Sequence, residues 1–336
     1  MSLTISRAAA LAAALFLAGA AAQAEPTTIK VAWIVAPTDS PLAMLGKSGI
    51  SQHEGKSYKL DYVHFTSTPA MITGLASGEI DLAPLGFPAY ALAIENAKLD
   101  DLRAVADALE DGVGNSYSNR AYVLNDGPVK KVEDLKGKIV SSNAIGAAID
   151  IGLRMELRKH GLEDKRDYTL VETVFPNMKP ELLEHKVDLV TLVPPFAFDL
   201  QINSVAHVLF TQKDAMGGPS QLLVTVARKG FIDRNRAALV DYFEDNLRQT
   251  RWYLDPAHHD EVIKIVTAYT KTPEALWAGW AFTPQDVYRS PVGKPDLDAL
   301  QKNIAAAHEL GFIPAALDPH KYADLSLVEE AAKRLN

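Results

Sequence analysis

The sequence predicts an α/β fold in two similar lobes with a ligand cleft between them. Strand-like runs rich in β-branched residues interleave with helical periodicity. One strand–helix–strand unit occurs twice, and no Pro- or Ser-rich linker separates the copies. The first copy runs from Tyr58 to Tyr90, and the second from Tyr168 to Phe198. Tyr58 and Phe65 answer Tyr168 and Phe175, Pro69 answers Pro180, and Asp81-Leu82 answers Asp188-Leu189. The offset of 107 to 111 residues is too long for a solenoid repeat and fits a duplicated lobe. Clefts between such lobes are where small ligands bind.

The amino terminus comes first. Residues 1 to 24 hold one charge, Arg7, then the apolar run Ala8 to Ala18 and the small-x-small site Ala22-Gln23-Ala24. This is the pattern of a secretory signal peptide, and the run is short for a membrane span. No Cys follows it, so a lipid anchor is not expected. The chain has no Cys at all, so an exported protein must rely on its core rather than on disulfides. Removing 24 of 336 residues leaves 312, ample for two lobes. Without the signal, 33 basic residues face 42 acidic ones, a net charge of −9. That balance argues against nucleic acid and anionic membrane surfaces as partners.

The elements follow in order. Thr28 to Val35 alternates and reads as a strand; APTDSP at 36 to 41 is turn chemistry before a short helix at 42 to 47. Ser57 to Phe65 is a second strand. Thr66-Ser67-Thr68-Pro69 places hydroxyls and a proline where a helix start needs them, and that helix ends near Gly78. Ile80 to Ala83 is a buried strand, Leu85 to Ala97 a helix, and Arg103 to Ala108 a strand leading into EDGVGNSYSN. The second lobe repeats the scheme. Its strands are expected at 121 to 124 and 138 to 141, and a helix at 144 to 159, with Ser142 and Asn143 as N-caps. The unit then recurs through Val193, with further strands at 205 to 211 and 221 to 226. After Phe231 the chain reads as helices at 234 to 254, 260 to 269, 273 to 280, 295 to 310 and 325 to 335.

Three motifs carry a family resemblance: GLASGEIDLAPLG at 74 to 86, VEDLKGKIVSS at 132 to 142 and KVDLVTLVPPFAFD at 186 to 199. They resemble the periplasmic substrate-binding proteins of ABC importers. The nearest likeness is to the nitrate/sulfonate/taurine group, which includes binders of thiamine-pyrimidine precursors. The resemblance spans Ile29 to Phe231 and implies the type II periplasmic binding protein fold. Lobe one is then expected at 26–118 plus 228–336, and lobe two at 119–227. It also implies a job: to capture a small solute in the cleft and deliver it to a membrane permease and, through it, a cytoplasmic ATPase. No cofactor and no metal are implied, and a monomer is expected.

By the resemblance, three helix starts meet in the cleft. They are Thr66-Ser67-Thr68, Leu85-Gly86-Phe87 and Ser141-Ser142-Asn143-Ala144 from the opposite lobe. Neutral donors there suit a carboxylate or sulfonate without a buried counter-charge. Each hydroxyl also has a plain reading as a helix cap. Gly86 permits close backbone approach or close packing. Thr38, Asp39 and Ser40 match a pocket loop of the family; Asp39 either meets an NH-bearing solute or caps the helix after it. Pro194 and Phe196 make an apolar wall where the family more often has a polar residue, and Phe196 and Phe87 are expected to flank an organic body. Asn119, near the first crossing between lobes, either bonds solute or belongs to the hinge. Arg120 and Arg154 are the basic candidates for a solute anion. The expected solute is an organic anion, a carboxylate or sulfonate; the alternatives are a pyrimidine, or an enzyme on the same fold. No HExxH, P-loop or nucleophile elbow is present, and no metal site is expected from His53-Glu54 or His258-His259. Asp81 and Asp188 read as structural caps where a turn enters a strand.

Overall fold

The computed structural model describes residues 25–34, 46–65 and 68–335, the side chain of Pro69 excepted. The segment read as a signal peptide and most of the helix expected at 42–47 lie outside them. No described helix is long and apolar enough to cross a membrane.

The first sheet has the order β2-β1-β3-β10-β4 and the second β7-β6-β8-β5-β9. Its strands are β1 (Thr27–Trp33), β2 (Tyr58–His64), β3 (Leu82–Gly86), β4 (Leu102–Asp111) and β10 (Ser220–Arg228). The second sheet holds β5 (Arg120–Leu124), β6 (Ile139–Ser142), β7 (Thr169–Glu172), β8 (Leu189–Leu192) and β9 (Ala206–Thr211). In each, a central strand pairs in parallel with two neighbours: β1 with β2 and β3, β6 with β7 and β8. Each also holds one antiparallel strand that arrives directly after a crossing, β10 against β3 and β5 against β8. β10 thus belongs to the first sheet, and the expectation that lobe two runs to 227 is corrected by its pairing. A β-branched run reads the same in either sheet; only long-range pairing decides.

The duplication is carried by one device. The Asp81 carboxylate accepts the Lys30 amide at 2.9 Å while the Asp81 amide donates to Lys30 O at 2.9 Å. Asp188 does the same with Ile139, at 3.0 and 2.7 Å. Each aspartate therefore pins the start of a buried strand to its neighbour, closing backbone groups that would otherwise be unpaired. Pro69 and Pro180 are not equivalent. Pro69 is the second residue of α1 (Thr68–Ser77), whereas Pro180 lies inside α4 (Phe175–Leu183), whose second residue is Pro176.

The other helices that matter are α2 (Phe87–Glu95), α3 (Ala148–Lys159), α5 (Leu200–Val205), α6 (Gln212–Met216), α7 (Lys229–Leu254), α8 (His259–Thr270), α9 (Leu297–Glu309) and α10 (Ser326–Arg334). The segment expected as a helix at 273–280 forms one 3-10 turn, Glu274–Leu276. Helices α7 and α10 cover one face of the first sheet with Leu239, Phe243, Leu327 and Val328. On the other face a single apolar cluster runs from Leu85 and Phe87 through Ala148 and Ile151 to Leu192, so it spans both lobes. The lobes meet across the cleft.

Candidate functional site

The carboxyl ends of β6 and β8 and the amino end of β5 lie side by side in the second sheet. Arg120 is opposite Leu192, Ala121 opposite Thr191, and Ser141 opposite Val190. Five buried polar atoms collect at this end: Asn119 Nδ2, Ser141 Oγ, Ser142 Oγ, Asn143 Oδ1 and Thr191 Oγ1. None has a hydrogen-bond partner among the described residues. Ser141 and Ser142 are fully buried. An unpaired buried polar group costs about 1–3 kcal/mol; these five share one end of the sheet, with Ser142 and Thr191 on the opposite face from Ser141, and make that end the candidate site.

Four of the five were expected, Asn119, Ser141, Ser142 and Asn143. Thr191 was missed. The signal for Thr191 was available: a hydroxyl inside LVTLV, a strand buried at every position.

The helix start beside them differs from expectation. Helix α3 begins at Ala148, not Ala144, because Gly146 takes φ 78° and Ala147 is the N-cap, without a side-chain cap. Ala144 therefore sits in a loop. The two amides beyond it are already taken, Ile145 N by Glu172 Oε1 and Gly146 N by Asp150 Oδ2. This loop is a poorer anion cradle than the sequence suggests, and the side chains at the strand ends supply the donors instead.

Opposite lies the first lobe. Gly86 ends β3 and is the N-cap of α2. A Cβ there would lie 3.6 Å from Ala148 Cβ, so this is where the lobes touch. Phe87 is fully buried in the cluster that spans both lobes. Thr68 is half-buried at the start of α1. Thr38, Asp39, Ser40, Thr66 and Ser67 lie outside the described residues. On the second lobe, Pro194 follows β8, and Phe196 stacks on Phe175 with ring centroids 6.1 Å apart and planes at 16°. The apolar wall is thus an aromatic one.

The charges sort clearly. Arg154 is held by Asp150 and Asp164 at 3.0 Å and lies over the Phe312 ring, so it is committed within the protein. His53, Asp241 and Glu244 come together away from the cleft. Arg334 Nη1 sits 2.8 Å from Asp241 and 3.6 Å from Glu244, occupying the cationic position between them. At the first crossing, the Asp111 carboxylate accepts from the Ser118 hydroxyl and the Asn119 amide. Burial pushes Asp111 up to about 7, against those two hydrogen bonds. A cavity of about 70 Å³ lies behind the first sheet, lined by Asp107, Tyr242, Thr250 and Arg289 among others. It has room for about two waters, too little for an organic solute.

Comparison with known proteins agrees with this architecture. No curated protein sequence matches the chain. The aliphatic sulphonate binding protein SsuA from Escherichia coli superposes with a TM-score of 0.67 at 17% identity, covering 89% of this chain and 92% of that one. The nitrate-binding protein NrtA from Synechocystis PCC 6803 gives 0.70 at 16% identity, covering 93% and 90%. The desulfurization enzyme DSZB gives 0.64 at 15% identity, covering 92% and 100%. The two-lobed fold is therefore that of periplasmic binding proteins, and it also hosts an enzyme. The model of the NMT1-like family matches residues 22–267, a span that holds both sheets, both crossings and all five unpaired polar groups, and so the chain belongs to the NMT1-like family.

Proposed function

We propose that this chain is the periplasmic solute-binding component of an ABC import system, and that its solute is a small organic anion, a carboxylate or sulfonate. One observation carries the reading: five buried polar groups at one end of the second sheet, none with a hydrogen-bond partner among the described residues. Four of the five atoms can donate, three hydroxyls and one amide nitrogen. Neutral donors bind an oxyanion without burying a second full charge, which would be costly to desolvate. The Phe175–Phe196 stack beside them favours an organic body over nitrate. Export by the amino-terminal segment places the protein where such a solute arrives, with delivery to a permease as its role. Thr38, Asp39, Ser40, Thr66, Ser67 and Thr68 remain the first lobe's candidate contributions, with Gly86 allowing close backbone approach.

An enzyme on the same fold is the second reading, favoured by the likeness to DSZB. This chain has no Cys, so a thiol nucleophile is unavailable to it. A thermal-shift screen of the purified exported protein, stripped of carried-over solute by unfolding and refolding, decides between them. The panel holds sulfonates, aromatic and aliphatic carboxylates, nitrate and pyrimidines. A native-state ligand at a hundred times its Kd adds about 2.7 kcal/mol of stability. A shift with organic anions and no turnover supports the reading; consumption of the ligand moves it to an enzyme, and a shift with pyrimidines alone overturns the anion.

A further inference from the structure

We propose that Arg120 is the residue that selects for negative charge in the solute, an inference that rests on the organic-anion reading above. Arg120 opens β5 at the same sheet end as the unpaired polar groups, next to Asn119 and opposite Leu192 of β8. Its guanidinium lies over two aromatic faces, 4.9 Å from the Tyr117 centroid and 5.6 Å from that of Phe198. Among the described residues no carboxylate pairs with it. The other arginines of the second lobe differ: Arg154, Arg158 and Arg166 each hold one.

A half-buried guanidinium without a counter-ion is unusual, because desolvation of a charge is normally offset by a partner. The aromatic faces offset part of it and fix the plane of the group. A guanidinium held flat on rings keeps its edge N–H groups free, in the fork geometry that suits a carboxylate or sulfonate. The platform is itself well anchored. The Tyr117 hydroxyl donates to Leu192 O at 2.8 Å, its amide donates to Asp286 O at 2.9 Å, and Phe198 stacks on Trp280. The first crossing, the second lobe and the carboxy-terminal segment thus converge to hold one unpaired cation beside neutral donors. The neutral groups bond the solute head, and Arg120 supplies the field that separates an anion from its uncharged analogue.

The test is calorimetric titration with benzenesulfonate, ethanesulfonate and benzoate, with benzamide as the uncharged control, at low and high ionic strength. Arg120→Gln is expected to weaken binding of the anion that wild type prefers by about tenfold or more, and to flatten its dependence on salt. Arg120→Lys keeps the charge but loses the planar fork and the stacking, so it is expected to weaken binding while keeping the salt dependence and the preference for anion over benzamide. A residue that merely braces the crossing would change the melting temperature in both variants and leave the preference for anion over benzamide untouched, which overturns the proposal. A Lys variant that loses the preference for anion over benzamide, or wild-type affinity that ignores salt, does the same, and both remain readable if Arg120→Gln does not fold. If wild type binds none of the three anions, the organic-anion reading fails at that step, and this inference falls with it.

Discussion

Phe198 and Trp280 stack with ring centroids 4.3 Å apart and planes only 2° from parallel. Phe198 closes the turn after β8 in the second lobe. Trp280 belongs to an apolar cluster built on the end of α7 with Tyr253 and Val262. The stretch that follows Trp280 is tied to β4 of the first sheet, where the Asp107 amide donates to Gly293 O at 2.8 Å. The stack therefore links the second sheet's β8 turn to a segment tied to the first sheet. Such a pair contributes about 0.5–1.5 kcal/mol beyond the area it buries. Phe198→Ala is expected to favour the open form and to lower solute affinity about tenfold. Trp fluorescence under solute titration reads it; an unchanged Kd would remove the stack from the closing step.

Ser142 and Thr191 make a sharper test of the site. Removing a polar group that has a partner destabilises, whereas removing one that lacks a partner costs nothing and can stabilise. Ser142→Ala and Thr191→Val are expected to leave the solute-free melting temperature unchanged or raised. Each is expected to weaken solute binding by about tenfold, the worth of one lost hydrogen bond. A loss of more than about 1 kcal/mol of solute-free stability in either variant would mean that the hydroxyl is already paired.

The duplication was legible because its residues do the same work twice, Asp81 on Lys30 and Asp188 on Ile139. Most strands and the long α7 were legible from alternation and periodicity. The start of α3 was not. Ser142 and Asn143 look like N-caps, but β6 runs through Ser142, and the αL backbone at Gly146 inserts a loop before the helix. The place of β10 was not legible either, since sheet membership depends on partners more than a hundred residues away, such as Leu109. Helices α5 and α6 have six and five residues, too short for a period to declare itself. Within the site, hydroxyls at helix starts drew attention, while Thr191 in a buried strand carried the less conspicuous signal.

Gly152 lies where α3 crosses α6. A Cβ added there would fall 2.1 Å from Gln212 Oε1. Gln212 is buried, its side chain donates to Ala148 O at 3.2 Å, and its amide donates to Asn119 O at 2.8 Å. A methyl group at 152 must therefore displace a side chain that ties the start of α3 to the crossing. Gly152→Ala is expected to destabilise by about 1–3 kcal/mol, the usual cost of overpacking. Trimming Gln212 to Ala in the same chain is expected to restore part of that loss, as a double-mutant cycle of denaturation midpoints would show. No coupling between the two positions would contradict the contact.

Asp111 gives the crossing a pH dependence with a definite sign. It is buried at the end of β4, and the loss of hydration raises it from 3.8 to about 7 despite the Ser118 and Asn119 hydrogen bonds. Glu110 and Asp107 are pushed the same way by burial, to about 8 and about 6. For an acid whose folded value is raised, the folded state binds more protons than the unfolded one between the two values. Stability therefore falls as pH rises from near the unfolded value of 3.8 towards about 7, and the Asp111 contribution levels off above that. The slope from one such group is at most about 1.4 kcal/mol per pH unit. Wild type is expected to melt lower at about pH 8 than at about pH 5. Asp111→Asn keeps an acceptor and a donor at the site without the charge, and is expected to make that decline shallower below about pH 7 while leaving the parts due to Asp107 and Glu110. Melting curves of both proteins across this range read the difference directly. Parallel curves would show that Asp111 keeps its charge through the same range, and that its two hydrogen bonds outweigh its burial.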